Sequence, residues 1–201
     1  MLTGKRFAEE LLRILDIQKE ESEDGKFSET FFKVNGTSKI ILRRDSTETS
    51  SIVIAAHEVG HFINNRNNFM KYLAFKWSGL FLGGIVIFSL IMVLLNQFFF
   101  RIPLSILITS FSLSFLCSFL FSYIKLSDEF EANKEALKLL NTFADEIFLN
   151  TQDSRSWSSI SSEAKDQLQK GTQKYKESNF IIFILGLLPT ILYFFIKIFP
   201  L

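Results

Sequence analysis

Three stretches of this chain, roughly Trp77–Phe99, Ile102–Ile124 and Phe180–Phe199, are almost free of charge, and each has about the 20 residues that a helix needs to cross a bilayer. They constrain the fold more than anything else in the sequence. Of 201 residues, 48% are hydrophobic and 24 are Phe, too apolar for a soluble domain of this size unless much of that surface faces lipid. The lipid bilayer is therefore an expected partner, and the fold is expected to be mainly α and integral to the membrane, with three transmembrane helices. A formal charge of +1 makes no electrostatic case for nucleic acid. The single cysteine, Cys117, lies inside the second apolar run, which excludes an intramolecular disulfide and leaves no case for a cysteine-based metal site.

Only a tight link around Phe100, Arg101 and Pro103 separates the first two apolar segments, which predicts a helical hairpin whose outer ends emerge on one side. Arg66, Lys71 and Lys76 precede the hairpin and Lys125, Lys134 and Lys138 follow it, whereas the link offers Arg101 alone. The positive-inside rule makes the flanks cytoplasmic. Lys170, Lys174 and Lys176 repeat the bias ahead of the third span. The expected organisation is a cytoplasmic segment 1–76, a transmembrane hairpin 77–124, a second cytoplasmic segment 125–178 and a final span 179–201. Gly79 and Gly83 in GxxxG spacing, and Ser110, Ser114, Ser118 and Ser122 at every fourth position, predict the seam of the hairpin.

Outside the spans, MLTGKRFAEELLRILDIQ reads as an amphipathic helix rather than a signal peptide, since charges interrupt its apolar residues. Asn35-Gly36 between two runs rich in β-branched and aromatic residues predicts a small β-hairpin with its second strand at about Ser38–Arg44. Asp45, Ser46 and Glu48 are placed to cap and charge the start of the next helix. A further helix is expected from about Ser127 to Phe148, and the Ser-rich stretch around 154–162 reads as a loop before the last helix.

The segment His57-Glu58-Val59-Gly60-His61 carries the chemistry. Two histidines four residues apart project from one face of a helix and can place two imidazole nitrogens on one zinc ion, while Glu58 is angled beside the metal to act as general base toward an attacking water. Gly60 leaves space beside the metal, and the apolar run Ile52–Ala56 would bury the helix. These are the only two histidines of the chain, so the third ligand that a catalytic zinc needs is a carboxylate. The hairpin returns the chain next to this helix at SDEFEANKEALKLL, where Asp128, Glu129 and Glu131 are all candidates. Spacing does not choose among them, because acidic residues at a helix start also complement its dipole.

IAAHEVGH, a transmembrane pair, then DEFEANKEAL resembles the YugP-type neutral zinc metallopeptidases of bacterial membranes, and the order of elements matches over most of the chain. The resemblance implies a zincin-like helical domain on the cytoplasmic side of a bacterial inner membrane. It implies His57 and His61 as ligands of one Zn²⁺ per chain, Glu58 as the catalytic base and Glu129 as third ligand. Ala132 and Asn133, three and four positions after Glu129 on the same helix face, suit that choice: a small residue for close approach and a polar one to orient a ligand. Asp128 would then cap the helix together with Glu131. Asn133 replaces the Asp of similar membrane proteases, which leaves no carboxylate behind the ligands to raise histidine basicity. Phe62 stands where that family more often has a small residue, which would narrow the pocket. The function implied is an endopeptidase acting on a peptide or membrane-protein substrate, with Ser38–Arg44 as the strand that pairs with an extended substrate. The alternative is a catalytically inert membrane adaptor that retains the fold, against which the intact Glu58 counts.

Overall fold

A computed structural model describes residues 1–17, 21–25, 28–31, 39–43 and 47–199. The elements are α1 (Gly4–Ile14), β1 (Glu21–Gly25), β2 (Glu29–Phe31), β3 (Lys39–Arg43), α2 (Thr49–Asn67), α3 (Phe69–Phe98), α4 (Leu104–Asn150) and α5 (Trp157–Ile198). They form two compact units, Met1–Phe69 with Asp128–Gln173 and Met70–Ser127 with Lys174–Leu201.

In the first unit α1 begins at Thr3, whose hydroxyl accepts the Arg6 N–H at 3.3 Å. It buries Phe7, Ala8, Leu11 and Leu12, a stripe with helical spacing that packs on α2. It ends where Asp16 takes the left-handed conformation (φ 54°) and the Ile17 N–H reaches back to the Leu12 carbonyl at 2.9 Å. The sheet has the order β1-β3-β2, with β2 antiparallel and β1 parallel to β3. Ile40 and Leu42 alternate into the core. The antiparallel β2–β3 pair agrees with the expected hairpin, although Asn35-Gly36 lies outside the described residues. The parallel strand β1 was not expected. It makes β3 the central strand, paired on both edges, so the expected role of Ser38–Arg44 in pairing with a substrate fails: β3 has no edge to offer. Among the described residues, the strand with an unpaired edge next to α2 is β2.

The loop between α4 and α5 is fixed by a pair that sequence reading missed. Arg155 clasps Asp153 through Nε and Nη2 at 2.7 and 2.9 Å, and also donates to the Thr47 and Leu2 carbonyls at 2.8 and 2.9 Å. The Leu2 N–H in turn donates to Asp153 at 2.7 Å. The Ser-rich stretch is a loop only as far as Ser156, after which α5 runs from Trp157 and contains the remaining serines. Ser156 and Ser159 cap that start reciprocally. Glu48 stands at the N-cap of α2, but its side chain accepts from the Ser50 hydroxyl at 3.1 Å instead of capping the helix; Asp45 and Ser46 lie outside the described residues.

The second unit holds three helical segments long and apolar enough to cross a membrane, with only 22%, 28% and 17% of their apolar windows buried. Ser110, Ser114 and Ser118 of the α4 stripe are buried and Ser122 half-buried, but their partners differ from the predicted seam. Ser114 donates to the Gly186 carbonyl at 2.9 Å, and a Cβ on Gly186 would collide with Ser118, so glycine is required there for α4 and α5 to approach. On the α3 side, Ser89 donates to the Ser110 carbonyl at 3.2 Å. Of the GxxxG pair, Gly79 faces Phe121 while Gly83 meets open space.

Candidate active site

His57, Glu58 and His61 all come from α2, and burial of Ile52, Val53, Ala55 and Ala56 around the preceding turn fixes that helix in the core. Gly60 faces α4, where an added Cβ would lie 2.7 Å from the Ala132 carbonyl oxygen. Glycine here, with Ala132 and Ala136 opposite and fully buried, lets the two helix backbones cross closely. Phe62 is buried in the apolar core.

That close crossing brings Glu129 to the histidines. His57 Nε2 and His61 Nε2 are 3.1 Å apart, and Glu129 Oε2 lies 3.3 Å from each. A tetrahedral zinc ion with bonds of 2.0–2.1 Å holds its donor atoms about 3.3 Å apart, so the three atoms match three vertices of such a site. Glu129 Oε2 is buried and faces only the two histidine nitrogens. His57, His61 and Glu129 could therefore hold a metal ion. Glu131, by contrast, is exposed.

Asp128 corrects two expectations. Because α4 is unbroken from Leu104 to Asn150, Asp128 sits in mid-helix and caps nothing. Its Oδ2 lies 2.9 Å from His61 Nδ1. Accepting the Nδ1 proton leaves the Nε2 lone pair directed at the point where the three donors converge. The supporting carboxylate that the Asn at position 133 seemed to remove is thus supplied one residue before Glu129. Asn133 instead donates its amide to the Thr172 hydroxyl at 2.8 Å and the Leu168 carbonyl at 3.4 Å, tying α4 to α5 within the same unit.

The electrostatics attract positive charge. Burial pulls the His61 pKa down, but the hydrogen bonds and charges of Asp128 and Glu129 outweigh it and push it up to about 10. Burial works to raise Glu129, but the two facing histidines hold it down at about 2. A divalent cation placed among these donors takes over the role of the excess proton. Glu58, one residue along from His57, is buried; that burial raises its carboxyl above the ordinary range although Thr30 and the histidines oppose the shift. The Thr30 hydroxyl, on β2, lies 2.6 Å from Glu58 Oε2, a contact across 28 residues that no local pattern signals.

The family model described as Putative neutral zinc metallopeptidase matches residues 1–164. No curated protein and no solved structure matches the chain.

Proposed function

The chain belongs to this family, and on that footing we propose that it is a membrane-embedded endopeptidase using one zinc ion held by His57, His61 and Glu129. The observation that carries this reading is the triangle of donors at 3.1–3.3 Å with a buried carboxylate, Glu58, beside it on the same helix. A zinc ion bound there supplies Lewis acidity, polarising a carbonyl and acidifying water. Glu58 takes a proton from the attacking water and delivers it to the leaving amine, a role suited to a carboxyl whose pKa burial raises. Asp128 holds His61 in the tautomer that presents Nε2. A peptide or a segment of a membrane protein lies extended along the unpaired edge of β2. The lysine and arginine distribution around the three spans supports a site facing the cytoplasm.

Detergent-purified protein should contain one zinc per chain, and His57→Ala should lose it. Glu58→Gln should stay folded and zinc-loaded while hydrolysis of fluorescent casein falls by about 10²–10⁴-fold or more, the usual cost of removing a general base. Near-normal turnover by that variant, with contaminating peptidases excluded, would overturn the enzymatic reading in favour of an adaptor that keeps the metal.

A further inference from the structure

We propose that Thr30 is a positioning residue that holds the Glu58 carboxylate in its working orientation and thereby ties the base to the strand along which substrate lies; the inference rests on Glu58 being the base. Thr30 is paired opposite Ile40 in the antiparallel β2–β3 ladder. Residues directly opposite each other point to the same face of a sheet, and Ile40 is fully buried, so the Thr30 side chain is committed to the face that covers α2. Its hydroxyl has one proton and two acceptors within reach, both on Glu58: Oε2 at 2.6 Å and the main-chain carbonyl at 3.0 Å. The shorter contact has the length of a charge-assisted O–H···O⁻ bond.

Glutamate has three side-chain torsions, and a buried carboxylate without a donor would swing toward whichever of the neighbouring histidines attracts it more. Threonine is the opposite kind of side chain. Its branch at Cβ restricts χ1, so the position of the hydroxyl is set by the strand backbone. A peptide that adds to the unpaired edge of β2 stiffens that backbone through main-chain hydrogen bonds, and the stiffness passes through a single bond to the base. Occupancy of the strand and orientation of the base are then coupled without any contact between substrate and Glu58.

Thr30→Val, Thr30→Ser and Glu58→Gln, each checked for zinc content, separate the outcomes. With casein as substrate, Thr30→Val should lower kcat by about 10–100-fold, the cost of a misplaced catalytic group, with KM within about twofold and zinc unchanged. Thr30→Ser should restore most of the loss, since it returns the hydroxyl. A raised KM at constant kcat, or unchanged kinetics, would overturn the proposal and leave Thr30 as a residue of the strand only. Inactivity of Glu58→Gln together with full activity of Thr30→Val would sink this inference alone, whereas an active Glu58→Gln sinks the reading beneath it. Should Thr30→Val not fold, Thr30→Ala removes the hydroxyl without a new methyl. Should casein prove no substrate, thermal unfolding decides: loss of the hydroxyl must lower the midpoint more in the parent than in a Glu58→Ala background, and equal shifts would overturn the coupling.

Discussion

In the unit formed by Met1–Phe69 and Asp128–Gln173, large apolar side chains such as Phe7, Leu11, Ile40, Ile52, Leu140 and Ile147 are at or near zero exposure. In the unit formed by Met70–Ser127 and Lys174–Leu201 the pattern is turned round. Leu80 and Phe81 stand 62% and 67% exposed while Ser89, Ser114 and Ser118 are fully buried. The first arrangement removes apolar surface from water. The second is the pattern expected of helices that cross a membrane, which associate through small residues and hydrogen bonds rather than by hiding leucines and phenylalanines. The polar groups buried in the two units differ in purpose as well. Those of the second unit bond to neighbouring main-chain carbonyls, as Ser114 does to Gly186. In the first, three of them, His57, His61 and Glu129, converge on one point.

If this contrast is right, Phe7→Ala should be the most damaging of four changes, costing about 3–5 kcal/mol through the lost contacts and the cavity left behind. Chemical unfolding of the protein in micelles, followed at a probe in the first unit, measures it. Asp128→Asn should leave the fold intact and weaken zinc about 10–100-fold in a chelator competition, as expected when the partner of a ligating histidine loses its charge. Unchanged affinity would show that Asp128 is an incidental neighbour. Ser114→Ala should cost only about 0.6 kcal/mol, a typical value for one interhelical hydrogen bond in a membrane, read from the same unfolding method with the probe moved to α4. Phe81→Ala should be the mildest, within about 0.5 kcal/mol, because lipid replaces the ring as well as protein would. A loss at Phe81 equal to that at Phe7 would break the comparison outright.

The features legible in the sequence were those with a local period or a fixed spacing. The apolar windows and the histidine pair on α2 are of this kind; Glu129, the acidic residue that the helix crossing brings to the histidines, was singled out by the family resemblance, with Ala132 and Asn133 on its face agreeing. What escaped depended on partners far away along the chain. Strand β1, Glu-Ser-Glu-Asp-Gly, has almost no strand propensity and exists through its parallel pairing with β3. The change from apolar to charged residues near Lys125 reads as a boundary, yet no glycine or proline interrupts the backbone there and α4 continues through it. That one misreading made Asp128 a cap and concealed its contact with His61. The serines after Trp157 were assigned to a loop on composition, whereas Asp145 and Asn141 anchor Trp157 through its main-chain N–H and its indole N–H at 2.6 and 2.8 Å and start the helix ahead of them.

The first unit is discontinuous in sequence, and this has a consequence for how the protein is made. Its two halves are separated by residues 70–127, which include two of the three candidate spans. On a translating ribosome, the roughly 70 residues from His61 to Glu129 take on the order of 4–14 s to synthesise at about 5–20 residues per second. Throughout that interval Gly60 has no Ala132 to meet, α1 lacks the Asp153–Arg155 clasp, and the two histidines have no carboxylate between them. The order of synthesis therefore acts as a timer, under which the three-donor site cannot close until both of those spans have left the ribosome.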